Sequence, residues 1–544
     1  MKTRLPLCQT ASTALLICLS GTALAQQAVP GAIPGTGSTA VSGTTAAGSA
    51  QGLPAPADDS TATTLQPAWI IKPRVALTET LTDNVVINRS ANGKQSDLIT
   101  ELAPGINIQT RTARLKGYFD YALRGQFYAK TDYSRTQNSL NTFGTFEAID
   151  NWLFLDFSGI IAQQAISAFG TQSPGSGTIN NNSTETATYR LSPFIRGNFG
   201  GAVEYLLRYN VSTTRSDATF ASDIELSQWS GQLKGSTPFK NLQWSVDGNQ
   251  QTVDYSNGRK SDAETLRGML TYAVLPQFRV SMSGGQESNN YASIDQESNS
   301  TYGYGFDWNP TERTKVTAFK ERRFFGDGHN ISFQHRFPMS SIRFTDSRNV
   351  SVLPNQFTTA GLGTIYDLYF DQFASLIPDP ITRATFVNAL LAANGINPNT
   401  QVTSGFMTSR ATIQRRQELA LTLLGSRNSI TFLANRNESQ SVLAANALND
   451  DFAQATGIRQ QGFSLNFAHR LSEISNLNVL ASRQESTSSG INRLKTTMTM
   501  YQVNVSTKLG AKTTGSLSAR RSEFESTTNP YTENAVIGTV TFTY

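Results

Sequence analysis

The chain has 544 residues, 45 Lys and Arg against 40 Asp and Glu, and a formal charge of +5. The small, scattered basic excess excludes the electrostatic footprint of a nucleic-acid-binding protein. Mean hydropathy is −0.30 and no long interior apolar run exists, so no helical membrane span is encoded. Neither property bears on a membrane β-barrel, whose strands alternate lipid-facing and lumen-facing residues and average out as polar.

Residues 1–25 read as a secretory signal: Lys2 and Arg4, an apolar stretch from Ala11 to Leu19, then the small-x-small site Ala23-Leu24-Ala25. Cys8 and Cys18 both lie in it, so the mature chain expected from Gln26 has no thiol chemistry and no disulfide. Ile17 before Cys18 argues against lipidation. Loss of Lys2 and Arg4 lowers the formal charge from +5 by two. Residues 26–66 are Gly, Ala, Ser, Thr and Pro with almost no large apolar group; they cannot offset chain entropy and are expected to form a disordered periplasmic leader. Gly31–Ser38 lacks the lysine and the strand–helix context of a phosphate loop.

From Trp69 the period becomes two. Trp69, Ile71, Val75 and Leu77 share a face, followed by Leu98, Leu102, Ile106 and Ile108. Gly117, Phe119, Tyr121, Leu123, Gly125 and Phe127 then oppose Lys116, Tyr118, Asp120, Arg124 and Gln126. The pattern recurs to the end in segments of about ten residues, the length of a tilted membrane strand. Short turns, such as Arg111–Arg114, Phe199–Ala202 and Leu509–Thr513, alternate with long polar connections, such as Asp83–Asp97, Ala168–Thr186, Phe324–His329 and Glu438–Ile458. That asymmetry is the pattern of an outer-membrane barrel with short periplasmic turns and long outer loops. The fold class predicted is therefore an all-β transmembrane antiparallel β-barrel over residues 67–544, with about 22 strands.

The last segment, Val536–Tyr544, places Val536, Gly538, Val540, Phe542 and Tyr544 on one face. It is predicted to close the barrel against the strand starting at Trp69, since an open edge would be left otherwise. An aromatic-terminated last strand is also what the outer-membrane insertion machinery of Gram-negative bacteria reads, so that machinery and outer-membrane lipid are the expected partners.

One connection differs. Within the long loop 349–408, Thr364 to about Asn394 reads as a helical hairpin broken at Pro378-Asp379-Pro380. Tyr366, Leu368, Phe370, Phe373 and Ile377 suggest one apolar stripe; Phe386, Leu390 and Leu391 suggest the other. Asp379 suits the second helix as N-cap, Pro380 its first position and Gly395 its C-cap. Such a hairpin can constrict the mouth, cap the barrel outside, meet a partner, or simply pack on the surface.

The stretches "ALTETLTDNV", "NPTERTKVTAFKERRFFGDGHNISFQHR", "IYDLYFDQFASLIPDPITRATFVNALLAANGI" and "FMTSRATIQRRQELALTLLGSRNSITF" resemble the outer-membrane β-barrel proteins associated with the PEP-CTERM/exosortase system of Gram-negative bacteria. The resemblance spans about residues 69–544 and is densest over 310–435. Arg323-Phe324-Phe325-Gly326 and Arg415-Arg416-Gln417-Glu418 are its most specific parts. It implies a role in the cell outer membrane tied to exopolysaccharide export or biofilm matrix, and supplies no catalytic residues.

No catalytic, metal or cofactor constellation is marked. His329, placed in a short outer loop, and His335 and His469 lack partners at metal-ligand spacing. Asp450-Asp451 and Asp58-Asp59 read as solvated pairs rather than ion ligands. The protein is read as a non-enzyme without cofactor. The lumen face is more informative. Opposite the apolar face fall Lys116, Arg124, Arg190, Arg196, Arg208, Lys234, Arg267, Arg279, Arg336, Arg343, Arg416, Arg470, Lys508 and Arg520, against Asp120, Glu204, Asp247, Asp307 and Glu418. A lumen of this kind would favour anions, unless its cations pair across the wall. Tyr118 and Tyr128 are candidates for stacking on sugar rings.

Two readings follow: a pore or export component, with exopolysaccharide as a candidate partner, or a structural anchor whose loops bind matrix polymer or other envelope proteins. An outer-membrane hydrolase is least favoured. A TonB-dependent receptor has a similar strand number but needs a folded plug of well over a hundred residues ahead of the barrel, where only the short leader stands.

Overall fold

The computed structural model describes residues 68–87, 93–218, 222–239, 241–352, 379–393, 406–442, 450–453, 455–490 and 493–544, with Tyr366, Tyr369, Phe370, Phe373 and Ile377. The signal, the leader and Gly395 lie outside these residues. Period-two alternation folds into 22 antiparallel strands. The first eleven are β1 (Trp69–Thr82), β2 (Asp97–Arg111), β3 (Leu115–Tyr128), β4 (Ser134–Ile149), β5 (Leu153–Ala165), β6 (Ser183–Phe199), β7 (Val203–Ser216), β8 (Ile224–Ser236), β9 (Leu242–Tyr255), β10 (Ser261–Leu275) and β11 (Phe278–Asn289). The rest are β12 (Glu297–Thr311), β13 (Thr314–Arg323), β14 (Gly326–Arg336), β15 (Ser340–Ser351), β16 (Thr412–Leu424), β17 (Asn428–Ser441), β18 (Gly457–Arg470), β19 (Ser475–Ser489), β20 (Lys495–Lys508), β21 (Thr513–Ser526) and β22 (Tyr531–Thr543). One helix, α1 (Pro380–Ala393), lies between β15 and β16.

Each strand pairs with its sequence neighbours, and β1 pairs with β22 from Arg74↔Thr543 to Thr82↔Ala535. The Tyr544 amide adds a bond to the Pro73 carbonyl at 2.9 Å. The sheet is closed, so no strand edge is exposed. Trp69, Ile71, Leu77 and Leu81 on β1 and Val536 and Phe542 on β22 are exposed on the outer wall; Val540 and Tyr544 share that face. The same face of the other strands exposes Leu266, Met282, Tyr302, Leu465, Tyr501 and Leu517. In water such a surface would be an aggregation site; in a bilayer it is the lipid-facing belt. This closed barrel is of the outer-membrane type and resides in the outer membrane.

The strands run 10 to 17 residues, and all but β13 exceed the roughly ten that span hydrocarbon. Their extra length is polar and lies toward the outer end. From sequence it reads as loop, because alternation without an apolar member carries no hydropathy signal. Thus the outer connection placed at Phe324–His329 shrinks to Phe324-Phe325, and His329 stands inside β14. The long loop, expected at 349–408, is instead displaced three positions along the chain, to 352–411, with its length unchanged. Register shifts occur at Glu147/Ile149, Ala273/Leu275 and Trp308/Thr311, all at the periplasmic rim, where bulges absorb barrel curvature.

Candidate functional site

The lumen wall is built by the strand faces opposite the lipid belt. The ladder registers place Lys116 and Arg124 on the inward face of β3, Arg190 and Arg196 on β6, Arg208 on β7, Lys234 on β8, Arg267 on β10 and Arg279 on β11. Arg336, Arg343, Arg416, Arg470, Lys508 and Arg520 follow on the inward faces of β14, β15, β16, β18, β20 and β21. Several are engaged across the wall. Arg208 pairs with Asp156 at 2.7 Å and lies over the Phe194 ring. Arg267 reaches Glu321 at 3.4 Å and Asp247 at 3.9 Å. Arg416 is 3.5 Å from Glu418, and Arg520 is held by the fully buried Glu533 at 2.8 Å. Arg196 sits over Phe154. These pairs stiffen the wall, because a desolvated guanidinium needs its carboxylate in place.

Sequence reading passed over further members of this wall. Arg74 on β1 forks onto Asp120 of β3, across β2, at 2.6 and 2.7 Å. Arg323 does the same to Glu287 of β11, whose other oxygen accepts from the Phe324 amide at 2.6 Å. Parity alone would have placed Arg74 inward, since it alternates with Val75 on the apolar face of β1.

The centre of the site is the segment between β15 and β16, which turns back into the barrel. Asp379 caps α1: the Thr382 amide donates to its Oδ2 at 2.8 Å, and Pro380 fills the first position, where no amide is needed. Ile381, Ala384, Val387 and Leu391 are the buried stripe. Phe386 is only partly buried, packing edge-on against Phe373 at 5.0 Å. Of the stripe expected through Phe386, Leu390 and Leu391, Leu391 is fully buried and Phe386 only partly so, and the buried face extends instead through Ile381, Ala384 and Val387. Leu390 lies outside the residues whose side chains are described, as does Leu368. The first predicted helix is described only at Tyr366, Tyr369, Phe370, Phe373 and Ile377, where Phe373 N bonds Tyr369 O and Ile377 N bonds Phe373 O, each one helical turn back. A complete hairpin thus lies outside the described residues.

This segment packs on inward residues of two wall sectors. Tyr366, Tyr369, Phe373, Ala384, Val387 and Leu391 form one buried cluster with Tyr118 of β3, Ala468 of β18, Leu480 of β19 and Met500 of β20. Polar bonds fix the depth. Asn388 Nδ2 donates to Tyr118 Oη at 2.9 Å, Thr385 Oγ1 to Gln109 Oε1 at 3.0 Å, and Arg111 Nη2 lies 3.3 Å from Asp379 Oδ2. Arg111 ends β2 at the periplasmic rim, so the loop crosses the height of the lumen. On the other sector Tyr369 Oη is 2.9 Å from Thr431 Oγ1 and accepts from Asn466 at 3.4 Å. Tyr118, a candidate sugar platform, is instead buried, stacked on Phe143 at 5.3 Å and covered by α1. Tyr128 donates to the Gly177 carbonyl at 3.0 Å. Both tyrosines serve packing.

The outer mouth is crossed by a second set of contacts. Loop residues 166–182 reach Arg520 through the Pro174 carbonyl at 3.2 Å and Tyr531 through the Gln172 carbonyl at 2.6 Å. Phe406 bridges Ala165, and Phe406, Phe452, Ala455, Ile458 and Ala168 form a buried cluster. Asp450 and Asp451, read as solvated, tie this clasp together. Asp450 takes a two-pronged bond from Arg410, and Asp451 accepts from Ser167 Oγ at 2.6 Å and the Ala168 amide at 2.7 Å. Burial pushes the Asp451 carboxyl up to about 6, against those two hydrogen bonds, and raises Asp450 as well despite Arg410. Among the described residues no cluster of three or more metal-ligating side chains occurs.

Fold and site together define a class: an outer-membrane β-barrel with a basic-lined lumen entered by one of its own outer loops. No protein family matches the chain, and no curated protein does. Among solved structures it is similar to the FrpB iron transporter of Neisseria meningitidis, at 10% identity over 88% of this chain and 82% of that one, with a TM-score of 0.48. It is also similar to the siderophore receptor PirA of Pseudomonas aeruginosa, at 9% identity over 87% and 80%, TM-score 0.42. A third is the ferric preacinetobactin receptor BauA of Acinetobacter baumannii, at 11% identity over 87% and 80%, TM-score 0.42.

Proposed function

We propose that the protein is an outer-membrane channel, closed at rest by the 352–411 loop, that passes anionic polymer or its fragments when the loop moves aside. The observation that carries this reading is the loop's docking. Among the described residues, one buried apolar cluster and a few polar bonds hold it against a wall otherwise lined by polar and basic groups. The inward excess of Arg and Lys supports anions as cargo. The resemblance of the 310–435 region to PEP-CTERM/exosortase-associated barrels supports an exported acidic polysaccharide. A non-conducting anchor is the second reading, favoured by the clasp that Arg410, Asp450 and Asp451 make across the mouth.

Planar-bilayer recording of the refolded protein separates the two. The full chain is expected to conduct rarely. Deletion of 353–405 should give a large steady conductance whose reversal potential in a salt gradient shifts toward the anion. Absence of conductance after deletion would sink the channel reading, and cation preference would sink the lumen argument.

A further inference from the structure

The outer faces of β13–β18 change character abruptly along their length. Near the periplasmic half they are apolar, and the last apolar rung is Phe344, Leu419, Ala434 and Phe463. The next rung outward carries Asp346, Gln417 and Arg436. Above it the register aligns Lys320, His329, Arg348, Arg415, Glu438 and Arg459 in one continuous row across six strands. All have the parity of the exposed Ile331, Leu423 and Phe463, so they face the membrane side, not the lumen.

A charged row directly above a hydrocarbon-facing belt lies at headgroup depth. Here it is built rather than scattered. Asp346 takes Arg415 at 2.8 Å and His329 at 3.0 Å; Glu438 takes both Arg436 and Arg459, the latter at 2.9 Å. Three guanidinium groups thus share two carboxylates and remain 41 to 50% exposed, with donors to spare. Arg348 extends the positive excess, as do Lys320 and Arg322, which share the single carboxylate of Asp327. The neighbouring flank, two strands away, has the other sign, since Glu225, Asp254, Asp262 and Glu264 share the outward parity of β8–β10. A structural ring of charges would not need this polarity.

We propose that the β13–β18 face binds the phosphate groups of outer-leaflet lipid. The arginine forks bridge phosphate oxygens, as planar guanidinium geometry favours, and the acyl chains lie on the apolar rungs beneath. The occupant is an acylated, phosphate-bearing lipid of the outer leaflet, because only a molecule with both phosphate and acyl chains fits row and belt at once.

The test uses the refolded full chain in detergent with a phosphorylated diglucosamine lipid (lipid A), read by native mass spectrometry. The wild type should retain the lipid, and the same lipid stripped of phosphate should be held at least about tenfold more weakly. R415Q/R436Q/R459Q should lose retention to a similar degree, whereas D262N/E264Q should leave it unchanged. If the triple variant fails to show the heat-dependent gel shift of a folded barrel, R459Q alone should give a smaller loss in the same direction. Equal retention by wild type and variants, or equal retention of the stripped lipid, would overturn the proposal. So would full displacement by millimolar inorganic phosphate, which would assign the row to a soluble anion.

Discussion

Asp451 concentrates the chemistry of the mouth in one group. Its carboxyl accepts from Ser167 and Ala168, yet burial holds it near 6, above the ordinary carboxylate value. A raised value means that the docked clasp binds this proton more tightly than the undocked chain does. Its contribution to docking is full below the undocked value of about 4 and is lost as pH rises through about 6. Hydrogen exchange at the Ala168 amide, corrected for the intrinsic pH dependence, should show stronger protection at about pH 5 than at about pH 7.5. D451N should make protection insensitive to pH. Equal protection in the wild type at both pH values would refute this account. Nothing in the sequence around Asp451 announces burial. Its partners come from the loop after β5, nearly three hundred positions away, so residue identity alone made it a solvated acid. The same holds for Glu533, whose partner Arg520 is legible as inward but whose burial comes from loop 166–182 folding over both.

At the scale of the element, α1 was largely legible. Asp379 and Pro380 are local start signals, and the Thr382 amide bond to Asp379 is the contact those signals imply. Its location was not. Gln109, Tyr118 and Arg111 belong to β2 and β3, and no local pattern links them to a segment following β15. The cap is also a wall contact, so its loss should loosen the docked loop. D379A is expected to cost about 1 kcal/mol and to raise open probability about fivefold in single-channel records. D379N, which keeps the cap and removes the charge facing the exposed Arg111, should stay close to wild type. If D379A leaves gating unchanged, α1 does not take part in closure. Strand ends were the less legible part. Beyond the hydrocarbon zone both faces are polar, as at His329, Arg348 and Glu438, and period-two hydropathy vanishes although the ladder continues.

For the whole molecule, closure was the most legible property, because parity and loop asymmetry both derive from bilayer physics rather than from particular contacts. Nine residue pairs join β1 to β22, fewer than the thirteen or fourteen along β17–β18 and β18–β19. It is one of the lighter seams by register, close to the eight pairs of β12–β13 and of β14–β15, yet it alone removes both free edges. Removing Tyr531–Tyr544 leaves 21 strands, whose terminal pair would have to run parallel. The truncated chain should therefore fail to give a heat-modifiable folded band in any detergent and should aggregate through its open edges. A folded, heat-modifiable truncation would mean that the β1–β22 seam is dispensable. What sequence could not give at this scale was lateral polarity, with one flank basic and the other acidic above the belt. It emerges only when the register sets residues from six strands side by side.

The loop that enters the lumen is continuous with β15 at one end and β16 at the other. It can shift but never diffuse away, so its local concentration at its own docking surface stays high, on the order of millimolar. Opening would then be a unimolecular excursion followed by rapid recapture. It would appear as brief flickers independent of how many molecules share the membrane, and a single cut within 353–365 would turn those flickers into long dwells.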